Sequence, residues 1–178
     1  MRCVIKNSDV LDEPTDALIY STNVLLNCSG GVGGGLMARY GKLVQTDLHG
    51  LLASSGRRFA NQGEWFQHVT AGMPYLAVFH CVPCDGWYDT TNQIVESILR
   101  QCLDNCLKMG NIRTIANSAL ATGYGHLPFE QYVRLAARVF ADPAYASFER
   151  ATICIANEYS YREGVEVIRS DSLQIQPA

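Results

Sequence analysis

The chain has 178 residues, which is the size of one ordinary domain with its own hydrophobic core. Hydrophobic residues make up 48% and charged residues 17%, a balance that excludes extensive disorder. The formal net charge of -3 provides no field that would gather a polyanion, so duplex nucleic acid is a poor default partner. We expect one domain over residues 1–170, followed by a C-terminal tail at 171–178.

The N-terminal residues and the cysteines predict the compartment. The first residues reach the acidic, turn-forming stretch from Asp9 to Pro14 too soon to contain the apolar core of a signal peptide. No apolar run approaches the length of a membrane span. The seven cysteines are an odd number and, without an export signal, are expected to be reduced thiols. The sequence therefore predicts a cytoplasmic protein with no membrane partner.

In the first part of the chain, two strands lead to a glycine-rich segment. Strands are predicted at 1–6 and 17–20, and the turn-rich stretch 7–15 separates them. The second of these is a near-continuous apolar run, as in a strand covered on both faces. The segment 28–35 contains five glycines and is expected to be a loop that leads into a helix at 36–40.

The middle of the chain predicts two more strands and the longest helix. The strands are expected at 64–70 and 75–82, with a turn between them at 71–74. Between Asn92 and Met109 apolar residues recur at every fourth position, which is typical of an amphipathic helix. Gly110 is expected to end it.

The last third repeats the order of strand, glycine-bearing loop and helix. The predicted elements are a strand at 112–120, a loop at 121–127, a helix at 128–140, a strand at 151–156, a short helix or turn at 157–163, and a further candidate strand at 165–168. Strands that alternate with helices predict a three-layer αβα fold with a mixed central sheet. Ligands of such folds bind at the carboxyl ends of the strands, where both glycine loops fall.

The first glycine loop has the chemistry of a phosphate site. A loop such as SGGVGGGL before a helix offers free N–H groups and a positive helix end. Its spacing excludes the dinucleotide fingerprint, because Val32 occupies the middle glycine position. It excludes a P-loop as well, because Leu43 follows Gly41 and Lys42 where serine or threonine is required.

Four ordered motifs resemble those of the macrodomain family over about residues 2–168. The family's Gly-Asp-Ile opening and its strand into Asn-Ala-Ala-Asn are similar to 8–10 and 20–23. Its glycine cluster is similar to residues 25–36, and its strand ending in Val-Ile-His is similar to 77–80. Its second loop is similar to 118–128. The resemblance implies a domain that binds ADP-ribose or a related nucleotide without a cofactor. ADP-ribosylated protein and nucleic acid remain alternative partners.

The resemblance also implies contacts for each part of ADP-ribose. Asp9 would accept a hydrogen bond from the adenine amino group, and the N–H of Val10 would meet a ring nitrogen. Asn23 would face the distal ribose, and Asn157 lies in the adenine region, where the stacking residue stays unassigned. The residues expected around the diphosphate are Gly30, Gly31, Val32, Gly33 and Gly34 on one side and Thr122, Gly123, Tyr124 and Gly125 on the other.

A hydrolase that removes a phosphate, acyl or protein group from the distal ribose is the alternative function. One hydrolytic branch of the family has an aspartate where Gly33 stands. Another uses a lysine near the end of the central strand and an aspartate in the second loop, where this chain has no lysine and has Gly125. His126 is the remaining loop group that exchanges protons near neutral pH. Asn23 and His126 are therefore the candidate catalytic residues, and a solvent-facing histidine is the other interpretation of His126.

A structural or zinc-binding protein without nucleotide affinity is the third hypothesis. Cys81 and Cys84 form a CxxC pair that, with Cys102 and Cys106, has the thiolates for a tetrahedral zinc site. However, Cys102 and Cys106 continue the apolar stripe of the long helix, so we expect core cysteines and no metal. For Cys28, the nearby helix N-terminus predicts a lowered pKa.

Overall fold

A mixed seven-stranded sheet forms the middle of the molecule in the computed structural model, which describes residues 1–178. The strands are β1 (Arg2–Lys6), β2 (Ala17–Ser21), β3 (Trp65–Gln67), β4 (Ala77–Cys81), β5 (Thr114–Ser118), β6 (Arg150–Cys154) and β7 (Gln176–Pro177). Their order in space is β3-β4-β2-β5-β6-β1-β7. β3 pairs antiparallel with β4, whereas all other pairs are parallel. The carboxyl ends of β4, β2, β5 and β6 therefore lie side by side at one edge.

Helices cover both faces of this sheet. They are α1 (Gly31–Tyr40), α2 (Leu43–Ser54), α3 (Asn92–Met109), α4 (Phe129–Phe140) and α5 (Glu158–Ser170). Alternate residues of β2 enter two separate cores: Ile19 packs with the buried faces of α3, α4 and α5, and Leu18 with those of α1 and α2. The three-layer αβα fold predicted from the sequence is confirmed. None of the five helices combines the length and apolarity needed to cross a membrane.

The first helix begins earlier than the sequence predicts. We expected residues 28–35 to be a loop, but α1 starts at Gly31, and the N–H of Gly34 donates to the carbonyl of Gly30 at 3.0 Å. Glycine has a poor intrinsic helix propensity. Close packing outweighs it here, because a Cβ at Gly35 would lie 2.7 Å from the Leu11 side chain. The glycines therefore let α1 approach the chain segment that precedes β2.

Two further helical segments differ from the sequence prediction. The candidate strand at 165–168 is wrong, since these residues belong to α5. Their β-branched side chains suggest a strand, but Val165 and Ile168 lie three residues apart and share the buried face of the helix. The helix α2 was not predicted, although its buried Val44, Leu48 and Leu52 recur at every fourth position.

The residues after α5 return to the sheet. Ile175 is buried, and β7 pairs with β1 so that Gln176 lies opposite Val4. The division into a domain at 1–170 and a tail at 171–178 stays a prediction.

A buried polar network connects the sheet to α4. The Tyr132 hydroxyl donates to Oδ1 of Asn117, whose Nδ2 donates to the carbonyl of Thr152 at 3.0 Å. All three residues are almost fully buried. Removing one partner would leave a buried acceptor without a hydrogen bond, which costs more than the bond itself contributes.

We expect Tyr132→Phe to lower the free energy of unfolding by about 1–3 kcal/mol, because Asn117 Oδ1 loses its donor in a dry environment. Urea denaturation measures the change. The control is Tyr161→Phe, which removes an exposed hydrogen bond to the Ala178 carbonyl and should cost less than about 0.5 kcal/mol. Equal losses in the two variants would contradict the assignment.

Candidate ligand-binding site

A cavity of about 540 Å³ lies over the carboxyl ends of four strands. Asn23 follows β2, Cys84 follows β4, Ala119 follows β5 and Ile155 follows β6, and all four line the cavity. This is the edge at which parallel α/β sheets bind ligands. The remaining walls are the first turn of α1 and the loop between β5 and α4.

The first turn of α1 presents unpaired N–H groups to the cavity. Gly31, Val32 and Gly33 line it, and their N–H groups have no acceptor in the protein because the first turn of a helix has no intrahelical partners. Gly31 has a φ of 52°, a left-handed conformation that favours glycine. The Gly30 cap supplies no side-chain acceptor. This wall therefore offers donors to an anion, and the helix dipole strengthens them.

The loop between β5 and α4 forms the opposite wall. The N–H groups of Gly123, Tyr124 and Gly125 also lack a protein acceptor. The two walls approach each other at the rim, where a Cβ at Gly30 would lie 3.0 Å from the Tyr124 hydroxyl. Thr122 lines the cavity as well, and its hydroxyl donates to the Ala119 carbonyl at 3.0 Å. Two rows of free donors thus face one space.

No Lys, Arg or His lines the cavity. An anion in this space would be held by backbone N–H groups and the dipole of α1 rather than by cationic side chains.

The Asn23 side chain is largely engaged within its own loop. Its Oδ1 accepts from the N–H groups of Leu25 at 3.0 Å and Asn27 at 3.1 Å, and its Nδ2 donates to the Asn27 carbonyl at 3.1 Å. An amide has two N–H donors, so one stays free for a ligand. Asn23 lines the cavity, and it also fixes the turn that leads to the glycines.

Four of the expected site residues do not line the cavity: Asp9, Val10, Gly34 and His126. Asp9 caps the 3-10 turn at 10–12, accepts from the N–H of Leu11 at 2.9 Å and pairs with Arg39 at 3.1 Å. Val10 has a buried side chain, but its N–H has no acceptor in the protein. The other predicted contacts do line the cavity, including Asn157, which also caps α5.

His126 contacts a neighbouring loop. The Nδ1 atom of its ring lies 2.8 Å from Oδ1 of Asp89, and its backbone N–H donates to the carbonyl of Tyr88 at 3.1 Å. The side chains of His126 and Asp89 are 65% and 71% exposed. His126 therefore ties the second glycine loop to the loop after β4, at the surface of the molecule.

Sequence reasoning missed fifteen of the 25 lining residues, among them Asp85, Tyr88 and Phe129. Asp85 and Tyr88 belong to the loop after β4, which carries no glycine cluster and no family motif. Phe129 is the first residue of α4, where an aromatic side chain usually indicates core packing. Only their position beyond the ends of β4 and β5 could have indicated that they line the cavity.

Hydrogen bonds from α2 and β2 hold the two glycine loops in place. Gln45 accepts from the N–H of Cys28 at 2.7 Å and donates to the carbonyl of Leu26 at 2.9 Å. Ser21 Oγ accepts from the N–H of Ala121 at 3.1 Å. Because Gln45 lies on the helix that was not predicted, its role could not be read from the sequence.

A buried tyrosine–histidine pair lies beneath the first loop. His80 Nε2 is 3.1 Å from the carbonyl of His68, which can only accept, so Nε2 carries the proton. Its Nδ1 therefore accepts from the Tyr20 hydroxyl at 2.5 Å. Burial lowers the pKa of His80 to about 4, which keeps the ring neutral. His80 is thus a buried strand residue.

The expectation for Cys28 is wrong. Cys28 is only 2% exposed, and burial raises its pKa. The positive end of α1 does not compensate for the loss of water.

The remaining cysteines are core residues. All seven are buried free thiols, and Cys81 and Cys102 lie 3.8 Å apart through their sulfur atoms. No group of three or more His, Cys, Asp and Glu side chains is placed to hold a metal ion.

Comparison with known families and structures places this fold and cavity among macrodomains. The model of the Macro domain family matches residues 19–136. The chain belongs to the macrodomain family. No curated protein matches it significantly by sequence.

Solved structures with the same fold share little sequence with this chain. A Trypanosoma brucei macrodomain in complex with ADP has a TM-score of 0.76 and 19% identity, over 94% of this chain and 69% of that one. A mutant Oceanobacillus iheyensis macrodomain with ADPR has a TM-score of 0.75 and 17% identity, over 94% and 92%. The Trypanosoma brucei macrodomain in complex with ADP-ribose has a TM-score of 0.73 and 20% identity, over 92% of this chain and 68% of that one.

We expect His80 to make stability depend on pH between about 6.5 and 4. The unfolded chain takes up a proton below its ordinary pKa of 6.5, whereas the folded protein does so only near 4. The free energy of unfolding should therefore fall as pH decreases through this window, by on the order of 3 kcal/mol from this group. NMR titration of the His80 ring checks the cause, and a midpoint near 6.5 would refute it.

The second glycine loop should tolerate a methyl group at Gly123 but not at Gly125. A Cβ at Gly125 would lie 2.3 Å from the Ala121 carbonyl oxygen and 2.6 Å from Cys84 Sγ, whereas nothing lies within 4 Å of one at Gly123. We expect Gly125→Ala to lower the free energy of unfolding by about 1–3 kcal/mol. Gly123→Ala should change it by less than about 0.5 kcal/mol. Chemical denaturation of both variants makes the comparison, and similar values would argue against the packing.

Proposed function

We propose that the protein binds ADP-ribose, free or linked to a protein, in the cavity between the two glycine loops. The observation that carries the proposal is the pair of facing walls, each with N–H groups that lack a protein acceptor. A diphosphate supplies acceptor oxygens in two directions and fits between such walls. Membership of the macrodomain family supports this ligand, as do the related structures that contain ADP-ribose.

The chemistry of the two cavity ends favours one orientation of the ligand. The diphosphate would lie between residues 30–33 and 122–125. The β6 end offers Phe129 and Ile155, which suit the face of adenine. There the free N–H of Val10 and the carboxylate of Asp9 are the proposed contacts of the adenine edge, with Asn157 nearby. The β2 and β4 end offers Asn23, which suits ribose hydroxyls.

The two candidate catalytic residues do not supply acid–base chemistry in the cavity. The two candidate catalytic residues were Asn23 and His126. His126 is paired with Asp89 and does not line the cavity, and the Asn23 amide does not titrate. A hydrolase would need a positioned acid or base within hydrogen-bond reach of the distal ribose, and neither of these residues supplies one.

The proposal extends to the surroundings of the site. Residues 1–170 would form the binding domain and 171–178 a tail. Seven buried free thiols suit a reducing compartment such as the cytoplasm. Protein-linked ADP-ribose is a suitable form of the ligand because the rim beside the distal end is exposed at Tyr88 and Tyr124. Nucleic acid that carries the same group is the other candidate partner.

Calorimetric titration with ADP-ribose tests the proposal. We expect saturable binding by the wild-type protein. In Gly31→Val the affinity should fall by about tenfold or more, because a branched side chain strains a residue with φ 52° and the N–H row moves. The control is Gly50→Ala, at an exposed position of α2 outside the cavity, which should bind as the wild type does. Absence of heat at millimolar ADP-ribose would refute the proposal.

A further inference from the structure

One negatively charged side chain lines the proposed ADP-ribose cavity. Asp85 is the sole Asp or Glu among the lining residues, which include no Lys, Arg or His. It follows β4 in the chain, at the end of the cavity that also holds Asn23. An anion-binding cavity with an acidic group and no basic one needs a physical explanation, because the carboxylate repels the ligand's phosphates.

The Asp85 side chain is fixed in position and keeps one oxygen free. Its Oδ1 accepts from the N–H groups of Trp87 at 2.9 Å and Asp89 at 3.0 Å. Its Oδ2 accepts no hydrogen bond from the protein, and no cationic side chain lies within ion-pair distance. A carboxylate held by one oxygen presents the other in a constant direction. It acts as a ready acceptor for hydroxyl groups.

The charge of this loop affects the cavity wall. Burial raises the pKa of the lining thiol Cys84 to about 11, and the charges of Asp85 and Asp89 add to the rise. The ring of His126 lies beside this loop, and it contacts Asp89 rather than Asp85. The charge of Asp85 is therefore not neutralised by a neighbour.

We propose that Asp85 selects ligands whose distal end is a neutral, hydroxyl-bearing ribose and rejects those that carry an added negative group there. Ribose hydroxyls donate to the free oxygen, which is a charge-assisted hydrogen bond. A phosphate monoester on the same ribose places like charges together in a partly desolvated space. This inference rests on the proposed binding of ADP-ribose and specifies which form of it the site accepts.

Three ligands and two variants test the role of Asp85. Affinities for ADP, ADP-ribose and ADP-ribose 1''-phosphate are measured by calorimetry for the wild type, Asp85→Asn and Asp89→Asn. The asparagine at 85 keeps an oxygen for the two N–H groups and removes the charge. Asp89 lies on the same loop, is exposed and does not line the cavity, which makes it the matched control.

The wild type should bind ADP-ribose more tightly than ADP-ribose 1''-phosphate. In Asp85→Asn the ratio of the two affinities should shift by about tenfold or more toward the phosphorylated ligand, while the affinity for ADP changes by less than about threefold. Asp89→Asn should leave the ratio within about threefold of the wild type. A ratio that Asp85→Asn does not change would overturn the inference.

A wild-type measurement covers the case in which Asp85→Asn does not fold. Salt screens like-charge repulsion, so the disadvantage of the phosphorylated ligand relative to ADP-ribose should shrink as ionic strength rises. A disadvantage that stays constant with salt would also overturn the inference. If none of the three ligands binds to the wild type, the proposed function fails instead.

Discussion

Backbone N–H groups without a protein acceptor are the constraint on which the site depends. Backbone donors without a protein acceptor must be paired by water or a ligand, and Gly31, Gly123 and Tyr124, which carry three of them, are exposed. The first row exists because α1 begins at Gly31, and the second because the loop at 121–127 turns without forming regular structure. Neither row requires a functional side chain. The parallel strands beneath them, which end at a common edge, bring the rows together.

Hydrogen bonds from neighbouring elements hold these donors in fixed orientations. Gln45 and Asn23 hold the first loop through hydrogen bonds to backbone groups, and Ser21 connects the second loop to β2. Donors that are already oriented bind an anion without further loss of loop entropy. With no cationic side chain in the cavity, backbone N–H groups and the dipole of α1 are the groups available to an anion there. A single carboxylate can then decide between ligands that differ by one phosphate.

The fold was readable from the sequence where packing repeats a simple period. The sequence predicts β2 and β4 from their apolar runs, and α3 from apolar residues at every fourth position. These patterns depend on local spacing alone. Residues 165–168 were misread because two valines and an isoleucine favour strands, although their burial follows a helical face. Gly35 of α1 packs closely against Leu11, which lies 24 residues earlier, and no local pattern contains that contact.

The site was only partly readable, for the same reason. The glycine loops and Asn23 carry motifs, and the structure places them around one cavity. Asp85 and Phe129 carry none, because their role comes from the strand ends that they follow. For His126 the motif was misleading. Its position one residue after Gly125 predicts a side chain in the cavity, whereas its ring contacts Asp89 in the neighbouring loop.

The hydrogen bond from Tyr20 leaves His80 without a role in acid–base chemistry at the site. The ring of Tyr20 is fully buried, and its hydroxyl bonds to a histidine whose lowered pKa keeps it neutral. A neutral, buried imidazole that already accepts from Tyr20 and donates to the His68 carbonyl has no free site for a substrate proton. His80 therefore has a structural role, in which it connects Tyr20 of β2 to the backbone of His68. Asp85 is the one carboxylate that lines the cavity, and its free Oδ2 suits recognition of hydroxyl groups.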